Sequence, residues 1–247
     1  MTDTKIILIG NQFVEFSNNQ NIFTYEEFQN MLETEYPESK YQIYIGQGLS
    51  DLMIDSIKML QCSFCADRVS FIGCMQRNKR ASSYFESKQC IISEPKKMSD
   101  NLFKCYLMLD ESNADYAGQH IKGTVLLEAV QQMVKSVSAS FFIPSLRSEK
   151  KSFVLNYLNA TFLEYVFPLD VEFTCKFEQF RYGLDGNFKA GTTIQVKQNK
   201  KIMMSVDIDF SLMDKNTLLN IESHMADSAV DEILNAPNLR LVEPLTA

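Results

Sequence analysis

The chain has 247 residues, 45% of them hydrophobic and 22% charged, with a formal net charge of −7. That apolar content can fill one large core or two small ones. The acidic balance argues against a nucleic-acid partner, which would demand a dense basic face, and no apolar run approaches the ~18 residues of a membrane-spanning helix.

Eighteen Phe and ten Tyr without a single Trp suggest sheet-rich packing. The N-terminus, Thr-Asp-Thr-Lys before a short apolar run, lacks the charge order and length of a signal peptide. Six scattered cysteines read as reduced thiols of a cytoplasmic protein.

Residues 1–75 alternate strand and helix signals and are read as a small α/β unit of unknown role. Lys5–Ile9 and Tyr41–Ile45 are apolar runs ending at Gly10 and Gly46. Thr24, three residues before Glu27, opens a helix over 24–33 with a capping box. Ser50 opens a second, whose Met53, Ile54, Ile57, Met59 and Leu60 fall close to helical spacing. Val69–Ile72 is a further strand.

Gly46-Gln47-Gly48 lies between strand and helix, where phosphate sites occur. It lacks a third glycine and a P-loop lysine, so a tight turn is the preferred reading. Cys62-Ser-Phe-Cys65, with Cys74 nearby, has no second ligand pair at zinc spacing and is read as structural thiols, with no metal site.

Residues 76–100 are a polar connector around one strand at 90–92. Arg77, Lys79, Arg80, Lys96 and Lys97 are read as solvated loop charge.

Residues 101–212 follow a different pattern. Phe103–Leu109 is a strand, followed by a loop and a long helix from about Thr124 to Phe142, closed by Pro144. Phe153–Phe162 is the next strand. Val171, Phe173, Cys175 and Phe177 alternate with Glu172, Thr174, Lys176 and Glu178; Ile202, Met204, Val206, Ile208 and Phe210 alternate with polar partners. Asp185-Gly186 and Gln198-Asn199-Lys200 are turns. The expected fold class is therefore α+β: a hotdog fold, with a long central helix wrapped by a curved antiparallel sheet. The unit 1–75 precedes it. Residues 213–247 are expected to form a packed helical tail, with helices over 216–225 and 227–234, Pro237 and Pro244 beyond them, and His224 on the surface.

The long helix carries the candidate chemistry. Its apolar arc runs through Val125, Leu126, Ala129, Val130, Met133, Val134 and Val137. Thr124, Glu128, Gln131, Gln132 and Lys135 form a narrow polar stripe. Two readings of Glu128 stay open. On a solvent face it pairs with Gln132 or Lys135; in a cleft or dimer interface, partial desolvation raises its pKa and lets it exchange protons near neutrality. His120, one of two histidines, is either its acid/base partner or a residue that merely precedes the helix, with Gly123 allowing close packing.

Residues 113–132, with the strands after them, resemble the A-factor biosynthesis (AfsA-type) hotdog family. His120, Gly123, Leu126, Leu127, Glu128, Ala129 and Gln132 stand at matching positions of its His-x-x-Gly…Leu-Leu-Glu-Ala-x-x-Gln block. The segment Phe153–Phe162 with Val166-Phe167-Pro168-Leu169-Asp170 is similar to the family's first strand after the helix and its turn. Lys122 replaces a frequent Pro, and Gln131 stands where the family has Arg. β-Hydroxyacyl thioester dehydratases are more distantly similar, and their catalytic His position is Ala114 here.

The resemblance implies chemistry on an acyl thioester carried by an acyl carrier protein or coenzyme A, in biosynthesis of a secondary metabolite or butyrolactone-like signal. Under it Glu128 and His120 are the catalytic residues, and Gly123, Thr124, Gln131 and Gln132 bind substrate; no cofactor is implied. The alternative is a non-catalytic hotdog protein that binds an acyl ligand or scaffolds such a pathway. A single hotdog leaves sheet edges and a helix face needing cover, so a homodimer is expected unless the N-terminal unit covers them instead. No nucleic acid and no membrane are expected as partners.

Overall fold

A computed structural model describes residues 3–34, 40–63, 69–73, 80–81, 90–111, 118–143, 151–183 and 187–234. Strands β1 (Asp3–Ile9), β2 (Ile22–Thr24), β3 (Lys40–Ile45) and β4 (Val69–Gly73) form a sheet in the order β2-β1-β3-β4. All its pairings are parallel. Helices α1 (Val14–Ser17), α2 (Tyr25–Thr34) and α3 (Asp51–Ser63) connect the strands. The capping box at α2 is closed in both directions: Glu27 N–H donates to Thr24 Oγ1 and Thr24 N–H donates to Glu27 Oε2. Strand β2 was not expected, because its three residues are too few to show a period.

The second sheet contains β5 (Lys96–Lys97), β6 (Leu102–Tyr106), β7 (Lys151–Phe162), β8 (Glu172–Tyr182), β9 (Phe188–Gln198) and β10 (Lys201–Asp214). Their order is β5-β6-β8-β9-β10-β7, antiparallel throughout. Along β9 every second residue from Phe188 to Gln198 is buried, which sets which side chains enter the core. The central helix α4 (Gly123–Val137) continues as a π-helical turn, Ser138–Phe142. That turn delivers Phe142 into a cluster with Phe103, Phe177, Phe180 and Phe188. A long helix enclosed by a six-stranded antiparallel sheet is the hotdog arrangement. No described helix is long and apolar enough to cross a membrane.

Three expectations need correction, the first being Arg80, which is not solvated loop charge but a partly buried cation paired with Asp110. The strand at 90–92 is replaced by isolated bridges, Ile92 to Leu107 and Arg80 to Ser93, and the connector's strand is β5. Beyond β10 the chain forms one continuous helix, α5 (Lys215–Leu234). It is not a packed tail: all its described side chains except Leu218 are exposed, His224 included. Cys65, Cys74, Arg77, Lys79, Ala114, Pro144, Asp185, Gly186, Pro237 and Pro244 lie outside the described residues, as does the side chain of Cys62. Among the described residues no group of His, Cys, Asp and Glu could hold a metal.

The two sheets meet at the carboxyl ends of β1 and β3. Gln47 is fully buried there. Its Nε2 donates to the carbonyls of Leu107 (3.2 Å) and Leu169 (3.1 Å), and its Oε1 accepts from Leu109 N–H (2.9 Å). Its backbone N–H donates to Pro168 O, and Gly48 N–H donates to Leu109 O. The Gln47 and Gly48 amides are thus spent on the hotdog loops and the Gly46 N–H on Leu8 O of β1, which removes the phosphate reading. A Cβ on Gly10 would lie 2.0 Å from Gly48 O, and Gly48 itself has φ +86°, so this approach needs glycine at both positions. Ile9, Phe13 and Phe16 pack into the same core as α4 and the large sheet.

Beside Gln47, the Tyr44 hydroxyl donates to Asp170 Oδ2 (2.9 Å). Asp170 Oδ1 is buried without a hydrogen-bond partner among the described residues. Burial pushes the Asp170 carboxyl above its usual pKa, and the Tyr44 hydrogen bond offsets part of that.

Gln47→Ala strands three buried backbone groups, each costing roughly 1–3 kcal/mol, so urea unfolding should show a loss of about 3 kcal/mol or more. Gln47→Glu is isosteric but turns a carboxylate toward two carbonyl oxygens. It should be at least as damaging, with a deficit that grows as pH rises. Asp170 holds its proton more tightly in the native chain than unfolded. Its contribution to stability is therefore greatest at low pH and falls as pH rises from the ordinary carboxylate range through the raised value. Asp170→Asn keeps the Tyr44 acceptor and removes the titration, so the variant's Tm should gain on wild type as pH rises above the ordinary carboxylate range, in thermal melts run at a series of pH values.

Candidate functional site

The start of α4 is fixed by sequence and by one strand-like contact. Lys122 is the extended N-cap residue (φ −61°, ψ 141°) and no side chain caps the turn. Lys122 O accepts from Val125 N–H and Leu126 N–H, and Ile121 N–H donates to Val166 O (2.7 Å). The helix end is thereby pinned to the segment after β7. Gly123 lets the Phe162 ring lie against the helix start: a Cβ there would come within 2.7 Å of that ring.

Between this helix end and the end of β7 lies a cleft of about 720 Å³. Leu126, Phe162, Tyr165, Val166, Phe167 and Met203 give it apolar walls, and His120 and Glu164 stand on its rim. Leu163, Tyr165 and Phe162 are exposed apolar residues in a short run. His120 is exposed and sets its ring 4.7 Å from that of Tyr165. Positive potential from an uncapped helix start suits a developing oxyanion or a polarised carbonyl.

Glu128 lies elsewhere. The cleft is lined from α4 by Gly123 and Leu126; at 3.6 residues per turn Glu128 lies roughly 140° from the first and roughly 160° from the second. It is half-buried, and Gln132 Nε2 donates to its Oε1 (3.4 Å). Gln132 Oε1 in turn accepts from Ile91 N–H (2.8 Å). Gln131 is half-buried and Thr124 exposed on this flank, where the Lys135 ammonium sits 5.0 Å from the centre of the Phe153 ring.

The segment carrying Ile91 is itself held. Arg80 pairs with Asp110 (2.7 Å) and donates to Cys90 O and Met108 O, while Gln12 donates to Asp110 O. Burial raises the Cys90 thiol, and the Arg80 charge lowers it in part, so Cys90 is not primed as a thiolate.

The structure therefore brings His120, Gly123 and an apolar cleft together, and groups Thr124, Glu128, Gln131 and Gln132 on the other flank. The cleft walls, Phe162, Tyr165 and Met203, were not singled out from sequence as site residues. The signal was the run Phe162-Leu163-Glu164-Tyr165, in which alternation breaks down and large apolar residues continue past the strand.

No family model and no curated protein matches the chain. Solved structures that resemble it include a thioesterase from Pseudomonas aeruginosa, at 11% identity over 49% of this chain and 80% of that one, with a TM-score of 0.38. A thioesterase from Haemophilus influenzae aligns at 14% identity over 50% and 78%, TM-score 0.37. One from Staphylococcus aureus aligns at 14% identity over 49% and 92%, TM-score 0.37.

Gly123→Leu places a branched side chain where Phe162 and the cleft meet. Binding of a hydrophobic fluorophore to the cleft should weaken about tenfold, which is roughly 1.4 kcal/mol. The Phe162 ring is exposed and can move aside, so Tm should shift by less than about 4 °C.

Proposed function

We propose that the protein takes an acyl thioester across the start of α4 and acts on its carbonyl. The observation that carries this reading is the uncapped helix N-terminus with an apolar cleft on one flank and a polar stripe on the other. An acyl thioester has the same two halves, an acyl chain and a polar pantetheine arm, joined at a carbonyl. The chain fills the cleft along Leu126, Phe162 and Met203. The carbonyl oxygen meets the amides of Gly123 and Thr124. The arm follows Thr124, Gln131 and Gln132.

In this reading His120 exchanges protons at the cleft mouth, and Glu128, oriented by Gln132, does so from the arm side. Coenzyme A or an acyl carrier protein supplies the thioester, and the protein works as a homodimer. A place in secondary-metabolite or butyrolactone-like signal biosynthesis rests on the resemblance of residues 113–132 and belongs to the same proposal. A second reading, binding of an acyl ligand without turnover, is favoured by one observation: the Glu128 carboxylate is already engaged by Gln132 and stands outside the cleft.

Incubation with a β-ketoacyl thioester, followed by thiol release and product mass, separates the two readings. Turnover should fall by about 10²-fold or more in His120→Ala and in Glu128→Gln. Saturable binding with no turnover in wild type, or turnover indifferent to both substitutions, favours the binding protein and sinks the catalytic assignment.

A further inference from the structure

Three features with no partner lie along one side of the hotdog. The first is β7, an edge strand whose outer side carries no other strand among the described residues. Its residues, Lys-Ser-Phe-Val-Leu-Asn-Tyr-Leu-Asn-Ala-Thr-Phe, hold one charge and no proline, so most devices that keep edges from pairing are missing. A bulge lies at its midpoint, between the Tyr157 and Leu155 pairings with β10. The second feature is the cleft at the Phe162 end of β7. The third is α5, which leaves β10 at Asp214, the residue paired with Lys151 at the opposite end of β7. The contacts of α5 fall on β10 and β7, the side of the open edge. Its apolar residues Leu219, Ile221, Met225, Val230 and Ile233 are all exposed.

Antiparallel pairing of β7 with β7 of a second copy, about a two-fold axis near the bulge, sets Lys151 of one copy opposite Phe162 of the other. It therefore brings the start of one copy's α5 to the cleft of the other. A helix of 20 residues reaches roughly 30 Å, enough to cross the cleft. Charge agrees with this placement. After Lys215, α5 carries Glu222, Asp227, Asp231 and Glu232, whereas the cleft is flanked by exposed Lys122, Lys200 and Lys201, the last paired with Glu164. Within one copy α5 starts at the far end of β7 from its own cleft.

We infer that two copies pair along β7 and that α5 of each closes the other's cleft, its Ile221 and Met225 forming the missing wall. The inference rests on the homodimer reading above and not on the identity of the ligand. It makes α5 a contributor, in trans, to the acyl-chain end of the site.

The test mixes isotopically light and heavy copies of the full chain, with native mass spectrometry confirming that mixed dimers have formed. Carbodiimide then joins carboxylates to amines that are already in contact. Mixed-label cross-links between Lys122, Lys200 or Lys201 and Glu222, Asp227 or Asp231 are expected. Ile221→Asp with Met225→Asp, both at exposed positions, should reduce these links at least tenfold and raise hydrogen exchange over 118–126. A wild-type monomer at 50-fold the concentration used for cross-linking, mixed dimers linked only within one label, or links unchanged in the double variant would each overturn the inference. A protein that forms the mixed links but turns over no thioester keeps this inference and loses the catalytic one.

Discussion

Everything in this chain hangs on one buried amide. Gln47 satisfies three groups on two hotdog loops with its side chain and a fourth, Pro168 O, with its backbone, in a place from which water is excluded. Such a group admits few substitutes, because an apolar side chain strands its partners and a charged one repels two of them. In open α/β sheets the carboxyl ends of the strands ordinarily form the ligand crevice. Here that crevice is filled by residues 107–109 and 168–170, so the small sheet serves as a buttress for the large one.

The buttress matters for the site through a short chain of contacts. Leu107 and Leu109, held by Gln47, precede Asp110, which anchors Arg80 and through it Cys90 and Ile91. Ile91 N–H then fixes Gln132, and Gln132 orients Glu128. On the other flank Val166 pins Ile121, while the neighbouring Phe167 packs on Phe16 of α1 (5.4 Å between ring centres). Both sides of the α4 N-terminus are thus referred back to the small sheet, although none of its residues lines the cleft.

Much of the fold was legible because it obeys simple periods. The alternation along β8 and β10, the capping box at Thr24 and the apolar arc of α4 each state a local preference that tertiary packing upholds. Strand β2 and the bridges at Ile92 were not legible, since two or three residues carry no period. The exposed state of α5 could not be read because its apolar residues, Leu219, Ile221, Met225, Val230 and Ile233, look the same in sequence whether or not they are covered. The site was half legible. His120, Gly123 and Glu128 were conspicuous by type and spacing, but their separation onto two flanks depends on which side of α4 β7 occupies. The role of Gln47 was hidden because its partners lie 60 and 122 residues away in sequence.

That separation has a consequence for how the protein is made. During synthesis the small sheet emerges first, with Ile9, Phe13, Phe16 and the Gln47 amide facing water. Leu169 leaves the ribosome 122 residues after Gln47, a wait of roughly 6–25 s at roughly 5–20 residues per second. For that interval the nascent chain displays an apolar strand-end surface with nothing to cover it. The N-terminal segment is therefore the stretch most in need of a chaperone, and changes that slow elongation between codons 48 and 169 bear on the yield of folded protein without touching its final stability.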